Sequence, residues 1–258
     1  MSTPAASGPN LMPVPAPETA SALSEGERLI NVFIAPSKTF YDLKRKATWF
    51  VPWLVLAVAS WVFVGVVAQK IGFRQITENQ MRLNPKAQER IAQLPADRRE
   101  RGMEIGVLFT KAAAFAFPVL ALLGYLIIAA VLMGTFNFVI GTEVPFNTSL
   151  AIVVYAQLPR IIRLVLAIIS LFAGADPEGF ILANPVASNP GFLVDAGAHP
   201  ALYALASSFD IFTLWIVALL GIGFACVSKV KKSTAIAVVF AWYALITLVA
   251  VGFTAIFS

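Results

Sequence analysis

Apolar residues fill five long stretches of this chain, and most polar residues lie in the segments between them. The stretches cover residues 50–68, 112–138, 150–173, 208–227 and 234–257. An α-helix needs about 20 predominantly apolar residues to cross the hydrocarbon core of a bilayer. Because lipid offers the backbone no hydrogen bonds, a crossing segment must satisfy its own N–H and C=O groups. The pattern therefore predicts an all-α, polytopic membrane protein with five transmembrane helices.

The chain before the first stretch predicts a tail followed by two short helices. Residues 1–23 are rich in Pro and Ala and almost uncharged, so they cannot bury a core and are expected to be disordered. Ser24 and Glu27 fit a capping box that opens a helix. Pro36 fits the start of a second helix. Both helices are too short to span, so we expect them at the membrane interface, within one five-span domain of residues 24–258.

The main polar segment lies between the first two stretches, at residues 69–111. Asn84 followed by Pro85 predicts a helix start, and Pro95 ends that helix and begins another that runs into the second span. The segment holds nine Lys or Arg and five Asp or Glu residues, with the two signs interleaved. Interleaved charges are typical of a solvated helical face, so we expect a helical loop here rather than a binding surface.

Basic residues are placed asymmetrically and predict an orientation. They stand before the first span and in the turn before the fifth, at Lys44, Arg45, Lys46, Lys229, Lys231 and Lys232. With five spans both groups fall on one side, and the positive-inside rule makes that side cytoplasmic. We expect the N-terminus inside and the C-terminus outside, in the cell (inner) membrane, although the nine basic residues of the loop at 69–111 then lie outside. Alternatively, the basic groups bind anionic lipid headgroups, at about 1 kcal/mol per residue.

Composition supports this class and narrows the function. Of the 258 residues, 59% are hydrophobic and 13% charged, with a formal net charge of +5. The single Cys226, expected to be a small buried side chain, permits no intramolecular disulfide, and the single His199 permits no His-pair metal site. No nucleophile–base pair stands in the spans and no basic patch carries aromatics, so catalysis, cofactors, metals and nucleic acid are not expected. Gly124, Gly221 and Gly223 are expected at close helix contacts.

The third stretch carries two arginines near its middle. Gln157, Arg160 and Arg163 recur every third residue, which places them near one face of a helix. Pro159 removes a backbone hydrogen bond and is expected to kink that helix. Charged side chains inside a membrane avoid lipid, so this face is expected to point into the bundle or a water-filled cavity.

Asp210 is the only acid within a predicted span, at a depth close to that of Arg163. We therefore expect an ion pair between Asp210 and Arg163, while Arg160 meets carbonyls, Asn137 or water. Asn137 is itself expected to cap the end of the second span. Two interpretations stay open for Gln157 and the three charged residues: a substrate, lipid-headgroup or proton site, or a structural link between the third and fourth spans.

The order of these features resembles the Yip-domain family of multi-pass membrane proteins, whose eukaryotic founders interact with Ypt/Rab GTPases. The resemblance rests on the lysine-bearing turn before the fifth span and on residues 32–40 (VFIAPSKTF), 155–159 (YAQLP), 209–215 (FDIFTLW) and 221–223 (GIG). It covers about residues 26–257 and is greatest with prokaryotic members. It implies a five-span bundle with the N-terminus in the cytoplasm and the C-terminus outside.

Pattern and resemblance together favour a non-enzymatic membrane scaffold, or a membrane-organising or trafficking-type factor. Its expected partners are membrane lipids and other membrane proteins or further copies of itself. The alternative is a transporter or lipid-moving protein that uses Arg160 and Arg163, with Asp210 as countercharge. A cavity that reaches Arg160 would favour this alternative, and a fully paired cluster would favour the scaffold. GTPase binding is not expected, because the segment before Ser24 is short and featureless.

Overall fold

The computed structural model describes residues 22–83 and 85–257, which form an all-helical bundle without a strand. Five stretches of helix are long and apolar enough to cross a membrane, which confirms the predicted architecture. The protein is therefore a multi-pass integral membrane protein. Nearly all of the predicted tail lies outside the described residues, as does Asn84 with its predicted cap.

The described residues contain eleven α-helices, of which four long ones and one broken pair form the predicted spans. The helices are α1 (Glu25–Ile34), α2 (Pro36–Leu43), α3 (Phe50–Lys70), α4 (Phe73–Arg82), α5 (Pro85–Ala92), α6 (Ala96–Gly134), α7 (Phe146–Ala156), α8 (Pro159–Phe172), α9 (Pro200–Ser208), α10 (Ile211–Ser228) and α11 (Lys232–Phe257). The spans correspond to α3, α6, the pair α7 and α8, α10, and α11. The helix that begins after Pro95 runs into the second span, as expected. The α4 and α9 helices were not predicted.

The first two helices begin as the sequence predicts and then pack into the bundle. Glu27 N donates to Ser24 Oγ at 3.3 Å and Ser24 N donates to Glu27 Oε2 at 2.8 Å, which confirms the capping box. Pro36 is the first residue of α2. The α2 helix packs against α10 and fully buries Phe40 and Leu43. The inner faces of these short helices are therefore part of the protein core.

Two glycines of α10 allow neighbouring helices to approach closely. A Cβ at Gly221 would lie 2.6 Å from Ile236 Cα of α11, and one at Gly223 would lie 2.4 Å from Ile152 Cγ2 of α7. The prediction of close contacts is confirmed for these two positions. It is wrong for Gly124, where a Cβ would meet no atom within 4 Å.

The two groups of basic residues lie at the same end of the bundle. The α2 helix, which precedes the first group, packs beside the last turns of α10, so that a Cβ at Gly223 would lie 3.2 Å from the Phe40 ring. The exposed basic side chains at this end include Lys44, Arg45, Lys46, Lys229, Lys231 and Lys232. Lys229 ends α10 with a left-handed backbone at φ 59°, which turns the chain directly into α11.

The opposite end is closed by α4 and the long loop that follows α8. Asn79 Nδ2 of α4 donates to Pro177 O at 2.7 Å and to Phe180 O at 2.8 Å. Arg74 Nη1 forms an exposed ion pair with Glu100 Oε1 at 2.9 Å, which joins α4 to α6. Charges of the loop at 69–111 thus form a solvated helical surface, as their interleaving predicts.

Candidate functional site

The third span is interrupted at Pro159, where the sequence predicts a kink. The α7 helix ends at Ala156, and Gln157 and Leu158 form a turn before α8 begins. Proline has no N–H to donate to the carbonyl of Tyr155. Leu158 N donates to that carbonyl instead, at 3.2 Å. The break therefore lies at the start of the helix that carries both arginines of the third span.

A cavity of about 430 Å³ lies between α3, α6 and α8 and reaches both of these arginines. We call it the arginine cavity. Most of its wall is apolar and includes Leu56, Phe63, Val64, Ala114, Phe117 and Leu164. Leu56 belongs to one of the two apolar cores of the bundle, and Phe63, Val64 and Ala114 belong to the other. The cavity is thus a gap between two packed regions.

The two arginines face this cavity without a carboxylate in contact. Arg160 Nε donates to Gln157 Oε1 at 2.7 Å, and the described residues offer its other guanidinium nitrogens no hydrogen bond. Arg163 Nη2 donates to Ala183 O at 3.0 Å and to Asn184 Oδ1 at 3.5 Å. Arg163 Nε is buried and has no hydrogen-bond partner among the described residues. The site therefore holds two cations and free donors.

The predicted ion pair between Asp210 and Arg163 is wrong. Asp210 does not lie inside the fourth span but is the N-cap residue of α10, where its Oδ1 accepts from Thr213 N at 2.9 Å. Its Oδ2 accepts from the hydroxyl of Ser188. A carboxylate at a helix N-terminus is stabilised by free backbone N–H groups and by the helix dipole. Asp210 therefore has local partners and does not need the arginine.

Asn137 caps the chain after the second span and does not contact Arg160. Its Nδ2 donates to Val144 O at 3.0 Å, and its Oδ1 accepts from Val144 N at 2.8 Å. This pair of bonds closes the loop between α6 and α7. Of the partners expected for Arg160, Asn137 is thus used elsewhere, and Gln157 is the side chain that holds the guanidinium.

A buried arginine outside the cavity was not predicted as a site. Arg28 of α1 is 1% exposed, and its Nε donates to Asp42 Oδ2 at 2.8 Å. Its Nη1 donates to Thr48 Oγ1 at 2.7 Å and to Glu25 Oε1 at 3.0 Å. The hydroxyl of Tyr155 donates to Glu25 Oε2 at 2.6 Å. These five residues, the Arg28 cluster, join α1, α2 and the loop before α3 to the third span.

The sequence contains a signal for this cluster. Arg28 stands four residues before Val32, which is fully buried, so the arginine lies on the apolar face of α1. Burial opposes the ionisation of Glu25, but hydrogen bonds from Thr48 and Tyr155 and the charge of Arg28 lower its pKa below the ordinary value. A charged residue on the apolar face of a helix indicates a buried, paired group.

Comparison with known proteins identifies a family for this chain. The family model described as Yip1 domain matches residues 30–253, which is most of the chain. No curated protein and no solved structure matches it. The matched residues include all the helices that form the arginine cavity and begin two residues after Arg28.

Proposed function

The chain belongs to the Yip1 domain family, and from this premise we propose that it is a non-enzymatic, lipid-binding membrane protein of the lipid-moving kind, because a cavity reaches Arg160. The arginine cavity supports this choice among the partners expected from the sequence. A scaffold that worked only through protein contacts would not need an open space beside two unpaired arginines.

The observation that carries the proposal is the combination of apolar walls and free guanidinium donors in one cavity. A lipid has the complementary combination of a hydrocarbon chain and a polar head. The volume of about 430 Å³ falls within the range of roughly 300–1,000 Å³ that is typical of small-molecule sites. Such sites place a few polar groups in a mainly apolar wall, as here.

The absence of a catalytic set from the cavity supports binding without chemistry. Its lining includes the hydroxyl groups of Ser60, Thr110 and Tyr125, but no Asp, Glu, His or Cys side chain that could act as a base or nucleophile. The described residues also contain no group of three or more His, Cys, Asp and Glu side chains that could hold a metal ion. We therefore propose that the protein is not an enzyme.

Native mass spectrometry of the protein, purified gently with its lipids, tests the proposal. We expect the wild type to retain a lipid that the double variant Arg160→Ala/Arg163→Ala loses. Arg101→Ala is the matched control, because Arg101 is an exposed arginine in the part of α6 that precedes the cavity. Equal lipid retention by the wild type and the double variant would sink the proposal.

A scaffold that works through protein partners is the second candidate. Ile30, Ile34 and Tyr41 form exposed apolar positions on α1 and α2, beside the basic end of the bundle. This surface can take an acidic, partly apolar partner. If the arginine variants keep the wild-type lipids, crosslinking from these three positions becomes the next experiment.

We also propose that the protein lies in the inner membrane of the cell and that the basic end of the bundle faces the cytoplasm. This rests on the shared position of the two basic groups and on the lack of Lys and Arg in residues 175–207. In a Cys226→Ala background, a membrane-impermeant maleimide added to intact cells should label Ala198→Cys but not Lys231→Cys. The reverse labelling pattern would invert the topology.

A further inference from the structure

We propose that the ligand of the arginine cavity is a single-chain anionic amphiphile that enters sideways from the bilayer. Its head would be a carboxylate or a phosphate monoester, and its tail one hydrocarbon chain. The inference rests on the proposed function and names the chemical class of the lipid.

The charge of the cavity requires an anion. Arg160 and Arg163 both line it, and no acidic side chain does. Arg163 is partly buried and has no carboxylate in contact: its partners are the neutral oxygens of Ala183 and Asn184, and its Nε has none. The charge of Asp210 acts on it only from beyond contact distance, and a desolvated cation without a charged partner in contact is costly. The planar guanidinium matches carboxylate and phosphate oxygens through two parallel hydrogen bonds. A neutral lipid would leave these donors without a charged partner.

The two cations of the cavity both lie on α8, and this orients the ligand. At the end covered by the long loop after α8, Arg163 contacts Ala183, and Gln80 and Thr110 add polar side chains. From Thr110 to Tyr125 the cavity follows α6 for 15 residues, or about 22 Å at the rise of an α-helix. The head therefore lies against the arginines of α8, and the chain extends along α6.

The wall opens sideways along α6. Ala113 and Phe117 both line the cavity and are exposed, Phe117 by 45%, so the cavity is not closed at these positions. These two positions lie one helical turn apart on a helix that crosses the bilayer. Lipid therefore reaches the cavity from the side. A soluble anion such as inorganic phosphate would have to cross hydrocarbon to use the same entrance.

The size of the cavity sets the number of chains. A volume of about 430 Å³ lies in the lower part of the range for ligand sites. This space suits one hydrocarbon chain with a compact head. A diacyl lipid would leave its second chain outside the cavity, and that chain would contribute no contacts to binding.

Binding of defined probes to delipidated protein in detergent tests the ligand class. The probes are palmitate, hexadecyl phosphate, hexadecanol, a diacyl phosphatidic acid and inorganic phosphate. We expect both single-chain anions to bind at least about tenfold more tightly than the other three, because only they match both the charge and the volume. Arg160→Gln/Arg163→Gln should weaken palmitate binding by about tenfold or more, and Arg101→Gln should leave it unchanged.

Ala113→Phe supplies a second variant that keeps both arginines. Ala113 is exposed at the rim, so a larger side chain there narrows the entrance without filling the core. We expect it to slow palmitate uptake while the unfolding temperature stays at the wild-type value. If the double arginine variant fails to fold, Ala113→Phe still tests whether palmitate enters the cavity from the side.

The outcomes separate the ligand class from the proposed function. Arginine-dependent binding of hexadecanol or of the diacyl lipid, as tight as that of palmitate, would overturn the single-chain anion but leave a lipid site. Tight binding of inorganic phosphate would overturn sideways entry. If no lipid probe binds the wild type, or if the double arginine variant binds the probes as tightly as the wild type does, the proposed function fails as well.

Discussion

The Arg28 cluster and the arginine cavity hold cations in opposite ways: Arg28 is buried among carboxylates, and Arg160 and Arg163 are partly buried beside an open space. All three guanidinium nitrogens of Arg28 contact partners, including the carboxylates of Glu25 and Asp42. Arg163 has one neutral carbonyl at 3.0 Å and a buried Nε without a partner. A cation surrounded by carboxylates holds elements together, whereas one that faces an unfilled space is available to a ligand.

The difference follows from the elements that build each site. The Arg28 cluster takes four of its five residues from positions 25–48, so short helices and one loop can close around the guanidinium. The arginine cavity depends on three long helices, α3, α6 and α8, whose separation leaves a gap at the arginines. The first site can adjust locally, and the second cannot close without moving a span.

Removal of the Arg28 side chain should have the largest effect on stability. In Arg28→Ala the carboxylates of Asp42 and Glu25 lose their cation, and breaking a buried pair in this way typically costs about 3–5 kcal/mol. The measurement is the free energy of unfolding in detergent, with the exposed Arg101→Ala as control. A loss for Arg28→Ala no greater than that of the control would remove the structural role of the cluster.

Loss of the Tyr155 hydroxyl should have a smaller effect. Tyr155→Phe keeps the ring and removes a hydrogen bond to the carboxylate of Glu25, a type of bond worth about 1.5–3 kcal/mol. We expect the unfolding free energy to fall by that amount and hydrogen exchange to quicken in α1. Unchanged exchange in α1 would show that Tyr155 does not anchor the N-terminal helices.

Substitution of the cavity arginines should change stability least among these variants. Arg160→Gln/Arg163→Gln leaves no carboxylate unpaired. It loses hydrogen bonds from a charged donor, worth about 1.5–3 kcal/mol each, but this loss is offset because two partly desolvated cations are removed. For delipidated protein we expect a change of about 2 kcal/mol or less, in the same unfolding assay as Arg28→Ala. A loss as large as that of Arg28→Ala would make the cavity arginines structural.

The smallest expected effect is a difference in unfolding free energy at low pH between the wild type and Glu25→Gln. The folded state lowers the pKa of this carboxyl below its ordinary value of 4.5, so the unfolded state binds more protons as the pH falls. The stabilisation is present above pH 4.5 and is lost as the pH falls through the lower, folded pKa. We expect Glu25→Gln to show a shallower loss of unfolding free energy than the wild type below pH 4.5. Parallel curves would contradict the depressed pKa.

The local features of the spans could be predicted from short patterns. Pro159 breaks the third span because proline has no backbone donor, whatever surrounds it. Ser24 and Glu27 form their box because the partners are only three residues apart. Asp210 shows the limit of such reasoning, since hydropathy placed it inside a span. The carboxylate is a helix cap, and a window average over apolar neighbours does not detect that change.

Hydropathy and helical spacing by themselves determined five spans, two short N-terminal helices and a polar face at Gln157, Arg160 and Arg163. These features depend on segment length and on period along one chain segment. Only the tertiary structure decided which distant groups Arg28 and Arg163 meet. Asp42 lies 14 residues from Arg28, and Ala183 lies 20 residues from Arg163. The cavity was decided there too: it is the space that three helices leave between them, and no single helix encodes a distance to another.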